Sequence, residues 1–421
     1  MNLLFETGSK TVPITKEMVR AAYRKVKSNN GSAGVDRESL EEFQQDLSGN
    51  LYKIWNRLAS GSYHPQAVRE VEIPKANGGK RKLGIPTVSD RIAQQVIKSY
   101  LEPRLESVFH KDSYGYRPLK GAHQAINQVR ENVRTYSWVV DMDIKSFFDE
   151  VDHELLMKAL DRHVAEKWVK MYIRRWLESP VQTKDGILIQ KQGKGTPQGG
   201  VISPLLANLY LHYVLDRWLE LHYPTVAFVR YADDVVVHCQ SERQAQEVLQ
   251  GIRTRLQECH LRLNETKTGI VYCKDYRKKE KKGYGNKFDF LGFSFQPMMY
   301  RSVRDSGNVF LGYGCEMSQK VITKVVTDWK QRKWHRQSHL SLQDIATRIN
   351  TQMRGLINYF GGINSIGLHK LIRQLHFRIA KWAMNKYKRF RGHYGKAYKW
   401  LKEIKTSYPN MFYHWTVYNW I

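Results

Sequence analysis

The chain has 421 residues, 42% of them hydrophobic, which is long enough for two or three domains with substantial cores and rules out a disordered protein. Its 68 Lys and Arg against 40 Asp and Glu leave a net charge of +28, a field that attracts polyanions and makes nucleic acid the leading partner. No stretch approaches the roughly 18 apolar residues of a membrane span, and the N-terminal "MNLLFETGSK" lacks the basic start and apolar core of a secretory signal. The four cysteines (Cys239, Cys259, Cys273, Cys315) are scattered without a C-x-x-C pair, which argues against a disulfide framework or zinc module and fits a reducing cytoplasm.

Residues 15–60 read as helices around a turn, with "NNGSAGVD" (29–36) supplying the Asn and Gly of a loop. "REVEIPKANGGKRKLGIPTV" (69–88) reads as strand, Gly-rich turn and strand, with a basic tip at Lys75, Lys80, Arg81 and Lys82. The segment 89–105 is helical, with Ile92, Val96, Tyr100 and Leu101 on one side. "YSWVVDMDI" (136–144) is a buried strand ending in carboxylates, and Asp152 caps an amphipathic helix over 152–164. A Gly/Pro loop at 195–200 runs into a long helix, "VAFVRYADDVVVHC" is a hairpin with acids at its tip, and 241–261 is helical again. "DYRKKEKKGYGNK" (275–287) is a charged insertion loop. After about residue 300 the pattern becomes helical and basic: residues 318–421 carry 20 Lys and Arg against three acids. Within it, Leu368, Leu371, Ile372, Leu375, Ile379 and Trp382 form an apolar face, and Lys370, Arg373, Arg378, Lys381 and Lys388 occupy the others.

The chemistry concentrates at the carboxylates. Asp233 and Asp234 sit between the apolar runs Ala227–Val229 and Val235–Val237, so their tip lies at the edge of a buried sheet. Upstream, Asp141 and Asp143 share a strand face, because strand side chains alternate. If the two strand ends meet, three or four like charges converge and push each other's pKa up. Such a cluster makes sense around divalent cations, and hard oxygen ligands favour Mg²⁺. Two such ions about 3.5–4 Å apart serve in-line phosphoryl transfer, in polymerases and nucleases alike. A polymerase also needs cations for a triphosphate, which the basic turn at Lys75 and Arg81 can supply.

The motifs then form an ordered series. "DMDIKSFFDEVDH", "GTPQGGVISPLLANLYL", "YADD", "LNETKT", "FLGFSF" (290–295) and "MRGLINYF" (353–360) resemble, over nearly the whole chain, the reverse transcriptase/maturase proteins of bacterial group II introns. The resemblance implies an α/β (α+β) right-hand polymerase: an N-terminal extension (1–60) with a template-binding loop, fingers and palm with an antiparallel sheet (61–300), an α-helical thumb/maturase domain (301–385) and a basic aromatic nucleic-acid-binding segment (386–421). It implies metal binding by Asp143, Asp233 and Asp234, completed by the Ile144 carbonyl. Asp143 is chosen over Asp141 because the family places an aromatic five residues after the first catalytic acid, and Phe148 stands there. That ring would exclude a ribose 2′-hydroxyl. Lys75, Arg81 and Gln198 match nucleotide-contacting positions, and Lys267 matches a lysine that protonates leaving pyrophosphate. Asn30 and Gly31 fall in the template-binding loop, Gly199 and Gly200 allow close backbone approach to template or nucleotide, and Leu291, Gly292 and Phe293 match the primer-holding segment. Arg373, Arg378, Lys381 and Lys388 belong to the RNA-gripping region.

The function so implied is RNA-directed DNA synthesis with two Mg²⁺ (or Mn²⁺) ions, deoxynucleoside triphosphates, an RNA template and a DNA or RNA primer. Binding and splicing of a group II intron RNA, and insertion into target DNA, accompany it, in a bacterial cytoplasm near the nucleoid and without a membrane. The tail shows no Cys pairs of a zinc endonuclease, so none is expected, and a nick or replication-fork primer comes from elsewhere. Two alternatives use the same fold: a domesticated enzyme of DNA repair or phage defence, and a non-catalytic RNA-binding splicing factor. The charge generates a direct test. Affinity for nucleic acid should fall by roughly 10³-fold or more between about 50 and 200 mM salt if six or more phosphates are contacted, and a flat response in a filter-binding titration would contradict it.

Overall fold

The computed structural model describes residues 12–74, 79–273, 275, 283–301 and 308–418. Lys75 and most of the insertion 275–287 lie outside the described residues. The chain divides into two compact units, Met1–Asn132 with Trp138–Ile270, and Val133–Ser137 with Val271–Ile421.

The first unit opens with helices Lys16–Asn29, Leu40–Gln45 and Leu47–Ala59, the second held by a Ser39/Glu42 capping box. Strands β1 (Val68–Pro74) and β2 (Lys80–Ile85) pair antiparallel as expected. The helix Val88–Glu106 buries Ile92, Val96 and Leu101, while Tyr100 sits at the margin and donates to Glu166 at 2.6 Å. Next come β3 (Trp138–Asp143), a short helix Phe147–Glu150 and the helix His153–Asp161, whose N-cap Asp152 accepts from the Leu155 amide at 2.8 Å. Short strands β4 (Val181–Gln182) and β5 (Leu188–Ile189) extend the β2–β1 sheet.

The anticipated long helix after the Gly/Pro loop is continuous from Ser203 to His222, but its middle turn, His212–Asp216, is π-helical. That inserted turn shifts the side-chain register. Strands β6 (Ala227–Tyr231) and β7 (Asp234–Cys239) form the expected hairpin, and β7 pairs on its other side with β3, so the order is β6–β7–β3, all antiparallel. Helix Glu242–Glu258 covers the sheet with Ala245, Val248, Ile252 and Leu256. Strand β8 (Gly269–Tyr272) carries the chain from the first unit to the second.

The second unit begins with β9 (Phe288–Phe290), β10 (Phe293–Arg301) and β11 (Val309–Met317), an antiparallel sheet in the order β11–β10–β9. The helical character read from about residue 300 therefore starts later, at Gln319. Strand β11 opens with two adjacent exposed apolar residues, Val309 and Phe310, followed by Gly312 and Gly314, so it lacks the alternation that signals a strand. Helices Gln319–Gln331, Leu342–Phe360, Ile366–Lys386 and Tyr394–Ser407 follow. The expected stripe from Leu368 to Trp382 is fully buried. Arg373, Lys381 and Lys388 are exposed, and Arg378 is half-buried. No helix among the described residues is long and apolar enough to cross a membrane.

Inside this helical unit two imidazoles meet without an acid. His376 and His414 are both buried, with their Nε2 atoms 2.8 Å apart. The Trp415 indole points its N–H at His376 Nε2 at 3.4 Å, so His376 accepts there and His414 donates. Burial lowers the His376 pKa to about 4 and holds His414 well below its ordinary value. The unfolded chain protonates both rings near pH 6.5, while the folded chain keeps His376 neutral down to about 4. Stability present above pH 6.5 is therefore lost as the pH falls towards 4, by up to roughly 1.4 kcal/mol per pH unit and ring. In urea titrations across this range, wild type should lose stability faster than the His376→Gln/His414→Gln variant. Parallel losses would contradict this account.

Candidate active site

The β3–β7 register decides which carboxylates meet: Asp143 lies directly opposite Asp234, while Asp141 faces Val236. Asp233 occupies the two-residue turn between Tyr231 and Asp234. Asp143, Asp233 and Asp234 thus gather at one sheet edge, and Asp141 stands one pleat further along. Burial, then Asp233 and Asp143, push the Asp234 carboxyl up to about 6. Asp234 keeps a face open to water, so hydration is only partly lost. Two like charges adjoin it and favour its protonated form. Asp233 is raised too, by burial first and then by Asp143.

The "LNETKT" segment wraps Asp143. Its Oδ2 accepts from Lys267 Nζ at 2.9 Å and Asn264 Nδ2 at 2.8 Å, and its carbonyl accepts from the Asn264 amide at 2.8 Å. Ile144 is buried and bridged to Leu263. Arg81, exposed on β2 opposite Ile73, lies close enough to lower both Asp233 and Asp234 against their repulsion. Phe148 is buried against Phe147, ring centroids 5.3 Å apart, and its carbonyl accepts from the Thr196 amide at 2.7 Å. That bond ties it to the loop of Gln198, whose own carbonyl accepts from the Gly84 amide at 2.8 Å.

The glycines have an internal reason. A Cβ on Gly199 (φ +121°) would come within 2.6 Å of the Gly84 carbonyl, and one on Gly200 within 2.5 Å of Ser203 Oγ. Gly199 is thus required by the chain's own backbone, and Gly200 by the Ser203 hydroxyl. The N-terminal loop is clipped from beneath: Arg91 donates to the carbonyls of Asn30 (3.3 Å) and Ser32 (3.1 Å), and Arg69 donates to that of Ala33. In the second unit, the Leu291 carbonyl accepts from Tyr359 Oη at 2.9 Å, Gly292 adopts φ +81°, and Phe293 packs fully buried on Phe360.

One support was missed in the sequence. Arg230 and Asp216 are both completely buried and form a two-pronged ion pair, Nε to Oδ1 at 2.7 Å and Nη2 to Oδ2 at 2.6 Å. Nη1 of Arg230 also donates to Asn208 Oδ1 (2.9 Å) and to the carbonyl of Ala232 (3.1 Å). Ala232 sits at φ +57°, a left-handed conformation that costs a non-glycine residue about 1 kcal/mol or more. Gly115 presses on the same turn: a Cβ there would lie 2.4 Å from the Ala232 amide nitrogen, and its carbonyl accepts from Asn208 at 2.7 Å. The turn bearing Asp233 is therefore held by one buried cation. The signal was an arginine inside "FVRY" and an aspartate inside the apolar helix "YVLDRW", each needing a partner. Tyr116, next to Gly115 and also left-handed, has its hydroxyl pKa raised by burial and then by the charge of Asp233, a proximity no sequence pattern signals.

Residues 73–295 match the reverse transcriptase (RNA-dependent DNA polymerase) family, and residues 326–400 match the group II intron maturase-specific domain. The chain belongs to the reverse transcriptase family. Among its relatives, protein YkfC of Escherichia coli (strain K12) is 35% identical over 298 residues, covering 62% of this chain and 78% of that protein. The group II intron-encoded protein LtrA of Lactococcus lactis subsp. cremoris is 28% identical over 425 residues, covering 81% of this chain and 68% of LtrA. A solved telomerase structure from Candida albicans aligns at a TM-score of 0.45 and 12% identity, over 88% of this chain and 66% of that one.

This reverse transcriptase is thus a right-hand polymerase, mixed α/β with an antiparallel palm sheet followed by a helical region, and it combines RNA-directed DNA polymerase and group II maturase functions. It acts on an RNA template and nucleotides, and its maturase-specific segment addresses intron RNA. Reverse transcriptases depend on a divalent metal ion, and the donor set fits one: three hard carboxylates on adjoining strands that repel each other. Among the described residues no three metal-ligating side chains converge on one point. Asp143 instead gives one oxygen to Lys267 and Asn264, so positive charge already stands at the position a cation would relieve.

The buried ion pair yields a test. Asp216→Asn leaves the Arg230 charge unpaired and should cost about 3–5 kcal/mol in denaturation. Adding Arg230→Met should restore most of that stability, as apolar replacements of buried pairs do. Primer extension should stay depressed in the double variant, because nothing then donates to the Ala232 carbonyl. Full activity in the double variant would show that the arginine supports only the fold.

Proposed function

We propose that this reverse transcriptase extends a DNA or RNA primer on an RNA template with deoxynucleoside triphosphates, using two Mg²⁺ ions (Mn²⁺ substituting) held by Asp143, Asp233, Asp234 and the Ile144 carbonyl. The observation that carries the assignment is the pairing of Asp143 with Asp234 across β3 and β7, beside Asp233. Bound there, the ions would lower the pKa of the primer 3′-hydroxyl and neutralise the triphosphate. Arg81, whose charge reaches both Asp233 and Asp234, takes a phosphate of the incoming nucleotide, with Lys75 as the other cation of that tip. Phe148 closes the sugar side and Gln198 borders the pocket, the two kept in register by the Thr196–Phe148 backbone bond. Lys267, already 2.9 Å from Asp143, holds the proton that leaving pyrophosphate takes up.

Asn30 and Gly31, on a loop pinned by Arg91, receive template, and Leu291, Gly292 and Phe293 hold the primer end. Arg373, Arg378, Lys381 and Lys388 contact phosphates of intron RNA, and target DNA is the final acceptor in retrohoming. The experiment is primer extension on an RNA template with purified protein. Asp143→Asn should abolish synthesis, and Asp141→Asn should retain at least roughly a tenth of it, since Asp141 faces Val236 rather than the other acids. Equal loss in both, or an inactive wild type beside a working control polymerase, would overturn the assignment.

A further inference from the structure

A cleft of about 180 Å³ opens in the first unit between β2 and the segment that carries Gln198. Three lysines border it. Lys82 is neutralised by Glu70 and Lys194 by Glu150, each at 3.1 Å. Lys191 is different. Its Nζ is shut off from solvent and has no hydrogen-bond partner. Asp149 also borders the cleft, but no acid offsets the effect of burial, which lowers the Lys191 ammonium to about 8.

The arrangement is the reverse of normal lysine behaviour. Lysine has a flexible four-carbon stem and usually buries that stem while keeping its head in water. Here the residue as a whole is only half-buried while its charged head is covered. An unpaired buried ammonium is destabilising, so by itself it works against the fold. The loop around it is not slack either. The Gly193 carbonyl accepts from the His153 amide (2.9 Å), and the Gly195 amide donates to Val151 (2.8 Å). His153 Nε2 meets the Gly195 carbonyl at 2.8 Å, and Thr196 donates to Phe148. These bonds fasten the loop between Lys191 and Gln198 to the segment that bears Phe148.

We propose that Lys191 is a phosphate-binding residue whose ammonium group pairs with a phosphate oxygen entering the cleft beside Gln198. A phosphate supplies what the site lacks, an anion with several acceptor oxygens. The proposal rests on the reverse-transcriptase reading, which makes two sources available: a phosphodiester of the template strand, or the triphosphate of the incoming nucleotide.

The test uses the full chain with Lys191→Met, which keeps the stem's bulk and removes the charge, and Lys191→Gln, which keeps a polar head. Three quantities are measured on each: the melting temperature, the Kd for an RNA–DNA template–primer with its salt dependence, and the KM for nucleotide. Losing an unpaired buried charge should leave the melting temperature unchanged or higher. If the phosphate is the template's, Kd rises about 5- to 10-fold and the log–log salt slope falls by about one. If it is the nucleotide's, KM rises by a similar factor while Kd holds. Unchanged Kd and KM in a stable, active variant would overturn the proposal. So would a lower melting temperature with activity lost in proportion, since that marks a structural lysine. If Lys191→Met does not fold, Lys191→Gln carries the same comparison. Failure of the underlying reading would look different, as an absence of primer extension by the wild type itself.

Discussion

Antiparallel pairing of β3 with β7 puts Asp143 across from Asp234, with Asp233 in the adjoining turn, and this forced meeting of like charges governs the rest of the first unit. Left alone, the carboxylates would drive the strands apart or take up protons. They are kept in place from three sides. Lys267 and Asn264 engage Asp143, Arg81 lends positive charge to Asp233 and Asp234, and behind the turn Arg230 holds the Ala232 carbonyl. The apolar strands supply the stiffness. Val235, Val236 and Val237 are buried, so the tip cannot relax by sliding without exposing them.

Much of this was legible in the residues. Apolar runs flanking "ADD" marked a buried hairpin with acids at its tip, and the alternation in "VVDMD" set Asp141 and Asp143 on one face. What the pattern left open was which of the two joins the pair. The resemblance pointed to Asp143 through Phe148, and the register places Asp143 opposite Asp234 by a different route. The stripe from Leu368 to Trp382 was legible for the same reason: its period is that of a helix and its burial is complete.

The parts that escaped depend on contacts between distant positions. Asp216 and Arg230 are fourteen residues apart, and Asp216 closes a π-helical turn that shifts the side-chain register of its helix. No periodicity contains that turn. Gly199 and Gly200 read as places for a ligand to approach, and the sequence does not show that Gly84 and Ser203 also leave no room for a side chain there. Lys191 sits in the run "QKQGKG", which reads as solvated loop, and only the fold reveals that its head is covered.

The pairing of Asp143 with Asp234 also fixes when the site can come into being. The β6–β7 hairpin closes locally through a two-residue turn, and such hairpins form on the microsecond scale. Asp143 must instead find its partner across about ninety residues of intervening chain, a slow, non-local closure. During synthesis the first acid leaves the ribosome well before the other two. The polymerase centre therefore cannot form until β7 has been made, and a nascent chain that ends before β7 holds one of its carboxylates but none of its geometry.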